Sequence, residues 1–254
     1  MTFMHDETEL DSFRTQLLAE SDEMGVTLSD DQARLLLRHL DLVIEKNQQL
    51  NLTRIADRQD GVTKHLVDSL LFCRVSRAIE LPPGRFLDLG TGAGFPGIPF
   101  GVVTGMKGML IDSVGKKVSA VQDFIEDLGL GRQLSTGTIR AEELARQQRA
   151  SFICVTARAV AELNVLIEYA APLLSKYGVL IASKARVSDD EAANASYAAQ
   201  ICGMELVSRE TFELPHDAGY RELYVYQKQR KPSITLPRKT GMAKHKPLFP
   251  SNRG

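Results

Sequence analysis

A short apolar stretch that runs directly into a row of glycines constrains this chain more than any other feature. Residues 85–97 read RFLDLGTGAGFPG, with glycine at 90, 92, 94 and 97. Glycine adopts backbone conformations closed to other residues, so such a row marks a tight turn where a ligand can approach bare backbone. Beyond it, short apolar runs alternate with amphipathic stretches. The runs are RFLDL (85–89), GMLID (108–112), a weaker one at 134–138, FICVT (152–156), GVLIAS (178–183), MELVS (204–208) and ELYVYQ (222–227). Helical periodicity fills the intervals at 116–130, 140–149, 161–174 and 188–202. Strand and helix in alternation predict an α/β fold: a mainly parallel seven-stranded sheet with helices on both faces, its last two strands pairing at one end.

The chain ahead of the glycines is helical in pattern. In the first stretch (residues 9–24) Leu10, Phe13, Leu17 and Leu18 fall on one face. A second helix starts after Ser29, a good N-cap followed by Asp30 and Asp31, and repeats Leu36, Leu40, Val43, Ile44 and Leu50 near helical spacing. A loop and a third helix follow, closed by ELPPG at 80–84. The resulting division is an N-terminal helical extension (1–82), an α/β core (83–229) and a C-terminal tail (230–254).

The glycine row can be read in two frames. From Gly90 it is G-x-G-x-G, a nucleotide-binding turn of many S-adenosylmethionine (SAM) enzymes; from Gly92 it is G-x-G-x-x-G, the dinucleotide fingerprint. The first fingerprint glycine should end the strand, and the strand ends beside Gly90. The Gly92 frame also puts Pro99 well inside the next helix, at a cost of about 3 kcal/mol. In the Gly90 frame Pro96 and Pro99 lie in or beside the first helical turn, where proline is tolerated. Gly90 is therefore taken as the first glycine. Asp112, ending the second strand, serves either cofactor: a carboxylate there can accept both ribose hydroxyls, the alternative being a turn or helix-cap aspartate. The rival reading from the Gly92 frame, a nicotinamide-dependent oxidoreductase, finds no evident catalytic Tyr–Lys or His constellation in this chain and does not account for its basic end.

Charge is distributed unevenly along a chain whose formal net charge is −1. Residues 1–31 carry nine acids against one base, Arg14, whereas residues 223–254 carry eight Lys/Arg and no acid. A basic end with four prolines after residue 230 reads on charge alone as a solvated, disordered tail rather than an element, polyanion binding being the alternative. Cys73, Cys154 and Cys202 are odd in number with no C-x-x-C pair, which suggests neither a disulfide framework nor a zinc site and fits a reducing, cytoplasmic setting. No signal peptide or membrane span is evident, and nothing points to an obligate protein partner, so a monomer is expected.

Several segments together resemble one family. NLTRI (51–55), HLVDSL (65–70), FLDLGTGAGFPGIP (86–99), LIDSVGKKV (110–118), RAEEL (140–144), TARAV (156–160) and PRKTGMAKHKPL (237–248) are similar, in order, to the bacterial 16S rRNA guanine-N7 methyltransferase G family, also called glucose-inhibited division protein B. The resemblance implies a Rossmann-like, class I SAM-dependent methyltransferase fold. It implies methyl transfer from SAM to N7 of a guanine in small-subunit ribosomal RNA. It places Gly90, Gly92, Gly94 and Phe95 against SAM, Asp112 on the ribose, Ala141 and Glu142 on the adenine, and Arg158 beside the methyl donor. Lys184, Arg238, Lys239, Lys244 and Lys246 become candidates for RNA phosphate, with a tail that orders on binding. Departures from the family pattern fall at Ile153, Ala157 and the SKA of 183–185, and weaken the assignment at the pocket floor. A lone pair on guanine N7 carries no proton, so no general base is required and none is assigned. His65 near Asp68 reads as structural support for the N-terminal helices rather than as an acid–base pair.

Overall fold

The computed structural model describes residues 7–250 apart from Ala56, with side chains from residue 11 onward. Leu10, placed above on the inner face of the first helix, lies outside the described side chains. Seven strands form one sheet in the order β3-β2-β1-β4-β5-β7-β6. They are β1 (Phe86–Leu89), β2 (Gly108–Asp112), β3 (Leu134–Thr138), β4 (Phe152–Arg158), β5 (Leu174–Lys184), β6 (Met204–Leu214) and β7 (Gly219–Lys228). β1 to β5 run parallel, and β7 pairs antiparallel with both β5 and β6. The expected terminal pair is therefore present, longer than its apolar runs.

Helices cover both faces. α1 (Glu7–Glu23), α2 (Asp30–Leu50) and α4 (Asp68–Ala78) join α5 (Gly97–Thr104) and α6 (Gly115–Asp127) in one hydrophobic layer. α7 (Ala141–Gln147), α8 (Leu163–Ala170) and α9 (Asp189–Cys202) make the other. Strand residues alternate between them as a period of two requires: Phe86, Cys154 and Ile181 face the first layer, Leu87, Val155 and Leu180 the second. Ser29 caps α2 in a full capping box with Gln32. α8 stops at Ala170, short of its apolar pattern, because Pro172 has no N–H to continue it.

Two segments differ from expectation. The third helix is not uniform: a short α3 (Arg58–Gly61) widens into a π-turn over Val62–Val67 before α4. Such insertions recur at functional sites because they re-aim side chains, and this one carries Lys64 and His65. The basic C-terminal segment is not a free tail. It forms α10 (Met242–His245), and Leu236 and Ala243 are each 1% exposed in the second layer. Its inward-facing carbonyls and Arg238 find partners on α7 and α8, a set of contacts invisible to a reading based on charge.

Candidate active site

The chain winds from β1 outward through β2 and β3, then returns to the other side of β1 for β4. A crevice opens outside the carboxyl ends of strands at such a reversal of order. Register aligns the ends of the strands there, with Leu89 beside Ile111 on one side and Ala157 on the other. Immediately beyond Leu89 the chain turns at Gly90, φ +69°, where an added Cβ would meet Val160 Cγ2 at 2.6 Å. Gly90 and Thr91 both donate their N–H to Ile111 O. α5 begins at Gly97, with Pro96 as N-cap and Pro99 inside the first turn, as the Gly90 frame requires.

A cavity of about 370 Å³ fills this crevice. Gly90, Gly92, Phe95, Asp112, Ala141, Glu142, Arg158 and Lys244 all line it. Gly94 is not among them; it turns against His39 and Ile98 behind the loop. Asp112 accepts Gly92 N–H (3.2 Å) on one oxygen and Val114 N–H (2.9 Å) on the other, so its carboxylate is fixed at the cavity edge. Glu142 is buried and accepts Gly241 N–H at 2.7 Å. Tyr169 completes this end, its phenol pushed up to about 12 by burial.

The other end is built by the N-terminal extension, which supplies Leu52, Thr53 and His65 to the same cavity. Phe95 lies between two imidazoles: His65 stacks on it at 4.6 Å with planes 4° apart, and His39 packs at 4.4 Å. His39 Nε2–H donates to Ala93 O (3.0 Å), which fixes its tautomer, since a carbonyl only accepts. His65 Nε2 is hydrogen-bonded to Thr53 Oγ1 at 2.9 Å and makes no bond to Asp68. Asp68 instead gathers two guanidiniums, Arg158 Nη1 at 3.1 Å and Arg221 Nε at 3.0 Å. Arg158 also lies over the Phe95 ring at 5.5 Å. Beneath the turn, buried Asp88 accepts Thr156 Oγ1–H (2.7 Å) and Gly97 N–H (3.1 Å), tying α5 to β4.

Burial, with Arg158 nearby, holds His65 down to about 3 and His39 to about 4, while burial pushes Asp88 up to about 6. Both histidines are thus neutral supports. Because their folded pKa values lie below the unfolded value, stability is complete above about pH 6.5 and falls as pH drops through that value. Asp88, with its raised pKa, works in the opposite direction below pH 6. The balance predicts a net loss of about 2 kcal/mol between pH 7 and pH 5. Denaturant unfolding at the two pH values checks it, and His39→Phe with His65→Phe should reverse its sign, leaving only the Asp88 contribution, which grows as pH falls.

Other expected residues lie elsewhere. Lys184 pairs with Glu191 (2.8 Å) and donates to Ala161 O. Arg238 grips Glu168 through both oxygens. Lys239, Lys244 and Lys246 are exposed. Ile153 and Ala157 are buried in the sheet and do not line the cavity, so those departures bear on packing rather than on the pocket floor. Thr53 and Tyr169 are contributions that sequence reasoning missed, the NLTRI segment being the available signal for the first. His65 and Asp68, expected as structural support, also border the site, His65 on the cavity and Asp68 through Arg158. The three cysteines are buried and free.

The sheet order, with its antiparallel seventh strand, and the cavity at the β1/β4 reversal define a class I SAM-dependent methyltransferase fold. Solved structures agree: the cyclase SpnF aligns at TM-score 0.51 with 15% identity, covering 64% of this chain and 81% of that one. A geranyl diphosphate methyltransferase in complex with SAM aligns at 0.50 with 8% identity, over 70% and 94%. The cyclase is a reminder that the fold alone does not assign chemistry. A model of the GidB family, rRNA small subunit methyltransferase G, matches residues 32–218. Proteins named ribosomal RNA small subunit methyltransferase G are 36% identical to this chain in Desulfitobacterium hafniense, over 89% of this chain and 93% of that protein. The identity is again 36% in Acetivibrio thermocellus, over 96% and 99%. The chain belongs to the rRNA small subunit methyltransferase G family.

Proposed function

We propose that this chain transfers a methyl group from SAM to N7 of a guanine in small-subunit (16S) ribosomal RNA. One observation carries this reading. The cavity has a carboxylate at Asp112 suited to ribose, a buried acceptor at Glu142 and a guanidinium at Arg158, and among the described residues its only histidine is a neutral stacking partner of Phe95. The two carboxylates fit the ribose and base of an adenosine, and the guanidinium fits the acceptor guanine. When bound, SAM supplies an electrophilic methyl on sulfonium. N7 offers an in-plane lone pair and loses no proton, so the residues need only place the two in line. Gly90 and Gly92 present bare backbone, Asp112 holds ribose hydroxyls, and Ala141 with Glu142 holds the adenine. Arg158, held by Asp68 and packed over Phe95, lines the cavity, where guanine O6 is a matching acceptor for a guanidinium.

Lys239, Lys244 and Lys246 are the proposed phosphate contacts, since Lys184 and Arg238 already hold buried or half-buried carboxylates. Replacing those three lysines with alanine should reduce the slope of log affinity against log salt by about 2 for a single-stranded target. Filter binding of a 16S fragment at several salt concentrations measures it. Among the described residues no helix is long and apolar enough to cross a membrane; a cytoplasmic monomer acting on RNA or the small subunit completes the proposal. Incubation with radiolabelled SAM and small subunits lacking the modification, followed by mapping of the labelled nucleotide, tests it. Absence of transfer together with absence of SAM binding overturns it.

A further inference from the structure

We propose that residues 236–248 form a strap that is one wall of the cofactor pocket, and that Arg238 is its positioning residue, setting Glu142 through Gly241. This rests on the reading that the pocket holds SAM with its adenine at Ala141 and Glu142. The strap is tied at both ends: Arg149 Nη1 donates to Leu236 O at 2.6 Å, and Asn164 Nδ2 donates to Leu248 O at 3.0 Å. Leu236 and Ala243 plug it into the second hydrophobic layer. Between these points the Arg238 fork closes on Glu168, which is 3% exposed, and Nη2 also donates back to Lys246 O. Arg146 adds bonds to Arg238 O and Thr240 Oγ1. A bidentate pair on a buried carboxylate fixes geometry as well as charge.

The consequence is felt at Gly241. Its φ of +86° belongs to the left-handed region, and this turn aims its N–H at Glu142 Oε1. Glu142 is 5% exposed, so a hydrogen bond to one oxygen fixes the direction of the other. Lys244, three residues further on, then lies on the cavity wall with Glu142 and Tyr169. A carboxylate oxygen held in place accepts from the exocyclic amine of adenine and repels the 6-oxo group of hypoxanthine. The strap therefore acts on base selection within the cofactor pocket, a role distinct from holding RNA.

Calorimetric titration of the full chain with S-adenosylhomocysteine, and with its 6-oxo analogue S-inosylhomocysteine, tests this. The wild type should prefer the adenine compound. Arg238→Ala should lose about tenfold or more in affinity for it, the scale of one lost buried hydrogen-bond partner, and most of the preference with it. Arg238→Lys should recover part of both, and Lys231→Ala, an exposed change outside the strap, should lose neither. Affinity within twofold of wild type in Arg238→Ala, or an equal loss for both compounds, overturns the proposal. If thermal melting shows that Arg238→Ala does not fold, the near-isosteric Glu168→Gln is titrated instead, and the same two outcomes decide. A wild type that binds neither compound overturns the cofactor assignment itself, and the strap's role with it.

Discussion

Asp112→Ala should weaken SAM binding by about a hundredfold while leaving the fold intact. Asp112 closes β2 at the edge of the cavity, and its two oxygens already accept the N–H groups of Gly92 and Val114. These bonds aim the carboxylate and order the glycine turn and the start of α6 at once. Each oxygen keeps a second lone pair for a ribose hydroxyl, and bonds to a charged acceptor are worth more than neutral ones. Losing two of them, with some loosening of the Gly92 amide, amounts to about 3 kcal/mol, or two decades of affinity. Asp112→Asn should cost less, since the amide oxygen can still accept. Calorimetric titration measures both; binding of Asp112→Ala within threefold of wild type would remove the residue from the ribose site. Melting temperature should move little, because Asp112 borders the cavity rather than filling the core.

What the sequence made legible was local, and what it concealed lay far apart along the chain. The Gly90 frame could be chosen because strand end, glycines and both prolines occupy eleven consecutive positions, 89–99, so local geometry decides it. The alternation of strands and helices was equally open, since burial on two faces imposes its own periodicity. The basic C-terminal segment was misread for the opposite reason. Arg238 answers Glu168 and Gly241 answers Glu142, 70 and 99 positions away, and nothing in the local composition announces either partner. Lys184 is a similar case, placed correctly at the carboxyl edge of β5 yet spent on Glu191. His65 and Asp68 stand three positions apart in sequence but point to different partners, because the π-turn over Val62–Val67 alters the usual helical spacing.

Asp68 should prove the costliest single truncation in the N-terminal extension. Its carboxylate is 3% exposed and accepts from Arg158 on one oxygen and Arg221 on the other. Arg221 comes from β7 and Arg158 from the end of β4, so one side chain of α4 ties the extension to both halves of the sheet. Removing it leaves two mostly buried guanidiniums without their counter-charge, side by side. Truncating one partner of a buried ion pair typically costs about 3–5 kcal/mol, because the remaining charge is left uncompensated. For a chain of this length that corresponds to a fall in melting temperature of roughly 10 °C. Asp68→Asn keeps both acceptor directions only in part and should lose less. A structural role alone would end there, but Arg158 also faces the cavity, so a second readout separates the two effects. At a temperature where Asp68→Asn remains folded, methyl transfer to the small subunit should drop well below wild type while S-adenosylhomocysteine affinity stays close to it. Equal losses in both would mean that Arg158 is positioned for the cofactor rather than for the incoming guanine.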